Sequence, residues 1–421
     1  MKIAIINKSD STGGAAVVSL RLTQALRNLG HDARLIVTEK LTDYPYVTEA
    51  ASNTGVKIPF LAERLKIFLA NGRNRATLFQ LDTASDGLPI HRLPFVQEAD
   101  AICLNWVNQG MLSLKEIGKL LDSGKPVVWA MHDMWCMTGI CHHAGSCTCY
   151  KSPSGLCREC PLMPNGSRLA LKTLLRKKKL YEGKTGNRIH FVCVSNWLAG
   201  LAKSSTLLYD QDVSVIPNAF PIDRNTETNR QDEERKDKKC IVFGAARLDD
   251  PVKGLSVLAE ATKILADKHP AIAQGLELIT FGGVKNPDSL NGIAIAHKHL
   301  GKVDPTKIRS IYESGDIVVS TSEWETLPGT LIEGQAWGCI PVALDHGGQR
   351  DIIDHLRTGY LAPYDEDPHK NAEAIAEGII WAFQAPVEVR TAMHKSVCDR
   401  FSEEAVAKRY LEIFNKSIRN S

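Results

Sequence analysis

Residues 316–348 read DIVVSTSEWETLPGTLIEGQAWGCIPVALDHGG, and this stretch constrains the fold more than any other. An apolar run, Ile317 to Ser320, predicts a buried strand that opens on a loop carrying Glu325. A helical pattern begins near Thr330 and stops at Gly338, a residue that tolerates the positive φ of a helix end. A second apolar run, Ile340 to Leu344, leads into Gly347 and Gly348. A strand whose C-terminal end meets a helix N-terminus is where α/β proteins hold anionic ligands. Glu325 and Glu333, eight positions apart, suit a polyhydroxylated ligand there. They also read as a solvated loop charge and a complement to the helix dipole, and spacing alone leaves both readings open.

The rest of the chain repeats the pattern. Ile3 to Ile6 forms a strand, NKSDSTGG a polar loop ending in Gly13 and Gly14, and Val18, Leu22, Ala25 and Leu29 recur at helical spacing. Ala33 to Val37, Ala101 to Leu104, Pro126 to Met131, Ile189 to Val194 and Val213 to Ile216 continue the series, while residues 41–95 are mixed helix and loop. His132 and Asp133 stand just past a strand, where side chains point into the crevice of a doubly wound sheet. This is a Rossmann-like start without GxGxxG, which disfavours a dinucleotide. Residues 223–239 are almost wholly polar and read as an exposed domain connection. A second series begins at Cys240, with Arg247 past a strand, Lys253 ahead of Gly254, and a helix from Leu255 to Lys268. Ser402, followed by Glu403 and Glu404, predicts the N-cap of a last helix.

Length and composition agree with this division. A chain of 421 residues, 43% hydrophobic and 24% charged, suits about two domains. A net charge of +3 argues for neither nucleic acid nor another polyanion as partner. The N-terminus lacks the apolar core of a signal peptide and no run approaches a membrane span, so a cytoplasmic protein is expected. Disulfides are rare there, leaving eleven cysteines to explain.

Arg247 and Lys253 at a helix N-terminus would hold a diphosphate and stabilise it as a leaving group, with Glu333 on ribose hydroxyls. The run Phe243 to Gly348 resembles the C-terminal domain of retaining glycosyltransferases of family 4, which have the GT-B fold. It carries GAARLDDPVKG, Glu325 with Glu333, and AWGCIPVALDHGG. The resemblance extends to Gly13–Gly14, His132, VCVSNWL (192–198) and VIPNAF (215–220). It implies an α/β protein of two Rossmann-like parallel-sheet domains facing each other across a cleft. These are an N-terminal acceptor domain (1–218), a charged linker (219–239), a nucleotide-sugar domain (240–400) and a terminal helix (401–421) crossing back. It further implies Glu333 on the ribose, Arg247 and Lys253 on the diphosphate, Glu325 on the transferred sugar, and backbone N–H groups near Gly329, Thr330 and Leu331 on sugar and phosphate. Gly13, Gly14 and His132 would face the sugar, and no divalent metal would serve catalysis. The chain departs from the family's usual E-G-F-G with Glu325-Thr326-Leu327-Pro328-Gly329, and Arg247 to Lys253 is one residue longer than in many members.

Five cysteines fall between Cys141 and Cys160, in an insertion at about 136–161. The spacing Cys141-x5-Cys147-x9-Cys157-x2-Cys160 suits tetrahedral structural zinc; Cys149 could replace Cys147, His142 or His143 could replace Cys141, and reduced thiols or a disulfide pair remain open. A subset of the family resembling the colanic-acid glycosyltransferases has a similar H-D-M-W opening and C-x-x-C-P close. The basic amphipathic stretch 168–184 reads either as an ordinary packed helix or as a peripheral contact with the inner face of a cell membrane. The expected activity is transfer from a UDP- or GDP-linked sugar to an oligosaccharide or lipid-linked saccharide of a surface or capsular polysaccharide. A GT-B nucleotide-sugar epimerase and a non-catalytic sugar-nucleotide binding protein are the alternatives.

Overall fold

The computed structural model describes residues 1–152, 157–163, 168–183, 189–222 and 238–419. Most of the charged connection expected at 219–239 lies outside them. Contacts divide the chain into two units, one of Met1–Ala219 with the C-terminal helix Glu403–Arg419, the other of Phe220–Ser402.

The first unit holds a sheet of seven strands: β1 (Lys2–Ile6), β2 (Asp32–Val37), β3 (Val47–Glu49), β4 (Ala101–Leu104), β5 (Val127–Met131), β6 (Ile189–Cys193) and β7 (Val213–Val215). Their order is β3-β2-β1-β4-β5-β6-β7, and every pairing is parallel. The second unit holds β8 (Lys239–Arg247), β9 (Leu276–Gly283), β10 (Ala296–His299), β11 (Ile317–Ser320), β12 (Ile340–Leu344) and β13 (Tyr360–Ala362), in the order β10-β9-β8-β11-β12-β13, again all parallel. Parallel strands are covered on both faces, which is why the central ones read as unbroken apolar runs. Ile3, Ile5, Ile317, Val342 and Leu344 are wholly buried. The edge strand β10, AHKH, has no buried residue, and its sequence carries no strand signal.

Each sheet reverses its direction of growth once, between β1 and β4 and between β8 and β11. The loops leaving those strands flank the switch point where ligands of open α/β sheets bind. In the first unit, helix α1 (Gly14–Asn28) packs on the sheet through Leu22, Ala25 and Leu26. Val406, Ala407, Tyr410 and Phe414 of the C-terminal helix are buried in the same core.

Helix α2 (Asn53–Ala70), in the stretch the sequence left as mixed, is held by a buried ionic cluster. Arg64 Nη2 lies 2.9 Å from Asp82 Oδ2 and 3.4 Å from Glu63 Oε2, with all three side chains almost fully buried. Glu63 accepts from the Thr83 amide at 3.0 Å and the Gly110 amide at 2.9 Å, and Asp82 accepts from the Gln109 amide at 2.7 Å. Burial and the adjacent Asp82 carboxylate raise Glu63 to about 7. One guanidinium thus bridges a carboxylate pair, and the acids' bonds to the Gln109 and Gly110 amides tie α2 to the segment after β4. Removing it leaves two acids in an apolar site, so Arg64→Ala should cost about 3–5 kcal/mol, read as a lower urea midpoint. A loss below about 1 kcal/mol would show that water reaches the cluster.

Candidate functional site

In the second unit, β8 ends at Arg247, whose guanidinium reaches Asp249 (3.5 Å) and Asp250 (3.4 Å). A 3-10 turn, Pro251–Lys253, follows, and Gly254 at φ 68 opens the helix Leu255–Lys268. The turn is pinned from the next strand over: the Thr321 hydroxyl, just past β11, donates to the Lys253 and Gly254 carbonyls at 2.9 and 2.8 Å. That places Lys253 Nζ 2.5 Å from Glu325 Oε1, both side chains partly exposed. A partly exposed ion pair adds only about 0–1 kcal/mol, so stability does not account for a lysine and a glutamate meeting at the switch point.

Glu325 is held by its backbone as well, its carbonyl accepting from the Gly348 amide at 2.8 Å. The loop then delivers the helix Gly329–Ala336, whose N-cap, Pro328, offers no side-chain acceptor and whose first turn carries no acid. Its N-terminus therefore keeps its positive potential for whatever binds there. Glu333 lies one turn along, half-buried. Arg247, Lys253, Glu325 and Gly329 to Glu333 thus all stand at the ends of β8 and β11 or on the helix leaving β11.

In the first unit, the loop after β1 is internally built. Asn7 donates to the Ser9 carbonyl (2.6 Å) and accepts from the Trp106 amide (2.9 Å); Ser9 Oγ accepts from the Thr12 amide (3.1 Å); buried Asp10 accepts from the Leu41 and Thr42 amides (2.8 and 2.9 Å). Gly13, at φ 89, caps α1 without a side chain, and a Cβ on Gly13 or Gly14 would meet nothing within 4 Å. Packing leaves the N-terminus of α1 open to a ligand. His132 follows β5 with Nε2 3.0 Å from Asn105 Oδ1, and burial lowers it to about 4, so the ring is neutral at physiological pH and Nε2 donates. Beside it, Asp133 accepts from Trp106 Nε1 (2.9 Å), His142 Nδ1 (2.7 Å) and the Trp135 amide (2.8 Å). Burial opposes its charge, yet the His142 imidazole and these bonds hold it at about 2.

No disulfide joins any of the eleven cysteines, all of which lie among the described residues. Cys141, Cys147, Cys149, Cys157 and Cys160 line one cavity of about 20 Å³, the size of a single water. Burial pushes Cys141 up to about 12 and Cys157 up to about 11. Among the described residues, no three His, Cys, Asp or Glu side chains converge closely enough to hold a metal ion. The donor set is that of zinc, while its spacing here is wider than coordination requires. The helix Leu169–Glu182 that follows keeps Lys172, Arg176, Lys178 and Lys179 exposed, while Lys177 is buried, donating to the Trp135 and Thr138 carbonyls at 2.5 and 3.2 Å above the Trp135 ring. Burial lowers it to about 8. Lys184 lies outside the described residues. Among the described residues, no helix is long and apolar enough to cross a membrane.

Residues 225–399, in the second half of the chain, match the model of the family Glycosyl transferases group 1. The fold of both units is that of GT-B glycosyltransferases. A glycosyltransferase of Rickettsia africae ESF-5 superposes with a TM-score of 0.63 at 16% identity, covering 100% of this chain and 99% of that one. Anabaena Alr3699/HepE, solved in complex with UDP and glucose, superposes with a TM-score of 0.57 at 16% identity over 99% of this chain and 100% of its own. In sequence, the Escherichia coli K12 glycosyl transferase WcaC, named for colanic acid biosynthesis, is 23% identical over 261 residues, 59% of each chain. Several other curated relatives are matched over just under half of their length, 49%, 45% and 43% in three cases.

Sequence reasoning missed the Asp133–His142–Trp106 group, because its members come from two separate loops, and the Glu63–Arg64–Asp82 cluster, because charged residues in a helical stretch read as surface. A paired pattern of acids around a lone arginine was the available signal for the second.

His132 carries a pH signature. Its folded value of about 4 lies below the unfolded value of about 6.5, so the unfolded chain binds the extra proton between them. Its contribution is complete above pH ~6.5 and disappears as pH falls through ~4. His132→Gln should flatten the loss of stability over that window in urea titrations, and an unchanged slope would refute a neutral His132.

Proposed function

We propose that the protein is a retaining glycosyltransferase that moves a sugar from a UDP- or GDP-linked donor to a saccharide acceptor, without a catalytic metal. The observation carrying this reading is Lys253 Nζ held 2.5 Å from Glu325 Oε1, next to the uncapped N-terminus of the helix Gly329–Ala336. A cation, an acid and a positive helix end at the switch point suit a diphosphate joined to a polyol. Arg247 and Lys253 take the diphosphate, Glu333 the ribose hydroxyls, Glu325 the sugar, and the amides of Gly329, Thr330 and Leu331 the phosphate and sugar oxygens. Gly13, Gly14 and His132 are assigned to sugar binding in the same reading.

In the reaction, the bond from the anomeric carbon to the phosphate oxygen breaks first, and charge grows on the diphosphate. Arg247, Lys253 and the helix end stabilise that charge, which lowers the barrier where it is highest. The acceptor hydroxyl then bonds the anomeric carbon on the same face and passes its proton to the departing phosphate oxygen. Neither Glu325 nor His132 serves as nucleophile. The UDP and glucose bound to the Anabaena neighbour, and the colanic-acid name of the E. coli relative, support a nucleotide-sugar donor and a surface-polysaccharide acceptor.

Isothermal titration with UDP and GDP, paired with release of nucleoside diphosphate in the presence of acceptor, tests this. Glu333→Ala should weaken nucleotide binding by about 10–100-fold, the loss of one or two charge-assisted hydrogen bonds. Lys253→Ala should lower turnover by about 100–1,000-fold. Gly14→Ala, which packing tolerates, should cut transfer without lowering Tm. Wild-type activity in both Glu333→Ala and Lys253→Ala would overturn the site, and conversion of the donor to an isomeric nucleotide sugar with no release of nucleoside diphosphate on adding acceptor would point to an epimerase.

The cysteine cavity is proposed to take one structural zinc, with Cys141, Cys147, Cys157 and Cys160 drawing inward as thiolates around it. Purified protein should then carry about one zinc per chain, and Cys157→Ser/Cys160→Ser should lose it. A metal-free wild type with all thiols titratable would refute the site.

A further inference from the structure

Helix α2 is amphipathic in the wrong direction for a surface helix. Its buried face carries Glu63, Arg64 and Ile67, whereas Ile58, Leu61, Leu65 and Leu69 are 55–65% exposed. Their spacing of three, four and four residues puts them on one stripe. Phe79, just beyond the helix and close to the Arg64 guanidinium, is 59% exposed as well. The inversion is built in, because the salt-bridged Arg64 and Glu63 fix which way the helix faces.

The charges flanking the stripe have one sign. Between Asn53 and Gln80 the exposed ionic residues are Lys57, Lys66, Arg73 and Arg75, and the one acid, Glu63, is buried. Lys66 is paired with Asp86 at 2.6 Å; Lys57, Arg73 and Arg75 stand at the two ends of the stripe. The stripe is a convex ridge about 16 Å long, from 1.5 Å per residue. A convex apolar ridge bordered by cations matches the boundary of an anionic bilayer, where such a helix lies in the plane with its apolar side among the acyl chains.

We propose that α2 is a membrane-docking helix that seats the first unit on an anionic lipid surface. The helix Leu169–Glu182 exposes Lys172, Arg176, Lys178 and Lys179 but offers less apolar surface: it turns Ala170, Leu174, Lys177 and Tyr181 inward, and Leu175 is its one large apolar side chain that stays well exposed. The assignment rests on α2 alone and stands whether or not the transfer reaction proposed above is correct.

Full-length protein is sedimented with vesicles of phosphatidylglycerol and phosphatidylethanolamine, and separately with phosphatidylcholine. Wild type should partition onto the anionic vesicles, less as salt rises, and onto phosphatidylcholine weakly. Leu61→Ser/Leu65→Ser removes apolar area already in water, so Tm should hold while partitioning falls by about tenfold or more. Lys57→Glu/Arg73→Glu should weaken binding to anionic vesicles only, and Leu175→Ser should leave it unchanged. Four results overturn the proposal: no binding by wild type, equal binding by Leu61→Ser/Leu65→Ser, loss of binding in Leu175→Ser, or a dimer by light scattering that this double variant dissolves, since the ridge would then face a second copy.

Discussion

The candidate site of the second unit depends on one close approach, that of Gly254 to the strand end at Thr321. A Cβ at position 254 would lie 2.2 Å from the Thr321 carbonyl oxygen, and φ there is 68. Only glycine satisfies both conditions at little cost. The turn after β8 can then nest against the end of β11, and the Thr321 hydroxyl closes it with two hydrogen bonds. Without that contact, Lys253 would leave on a loop of its own and Glu325 on another. With it, two loops leaving neighbouring strands of a reversing sheet become one surface.

The first unit uses the same switch-point geometry with different chemistry. Asn7, after β1, accepts the amide of Trp106, after β4, and Asn105 receives His132 from the end of β5. Polar groups at three adjacent strand ends are thereby joined by side-chain bonds rather than by packing. The second unit presents charge at its strand ends, the first mainly amides and a neutral imidazole.

Central strands were legible because burial on both faces leaves an apolar run that little else produces. Ile317–Ser320 and Ile340–Leu344 fall where their sequence places them, as does the helix Leu255–Lys268. The edge strands β3 and β10 were not, since one open side frees their composition. Nor was the Lys253–Glu325 pair, whose members stand 72 positions apart and meet only through sheet order. Polar burial was the other blind spot. Lys177 and Arg64 look like surface cations in sequence, yet each binds groups that only the folded chain collects: carbonyls of the turn after His132 accept from one, two carboxylates from the other.

Those two buried cations have a common consequence. A buried charge costs more than it returns unless its partners are complete, so each fixes the orientation of the helix that carries it more strictly than apolar packing would. Lys177 makes the helix Leu169–Glu182 face inward, over the segment between His132 and the cysteine cavity. Arg64 makes α2 turn its leucines outward. Hydrophobic burial alone would favour the opposite setting of α2, with Leu61 and Leu65 inside and Arg64 in water. The ionic cluster is therefore what converts an ordinary amphipathic sequence into an exposed apolar ridge. The same cluster receives the amides of Gln109 and Gly110 after β4, so the ridge and a switch-point loop share one rigid anchor.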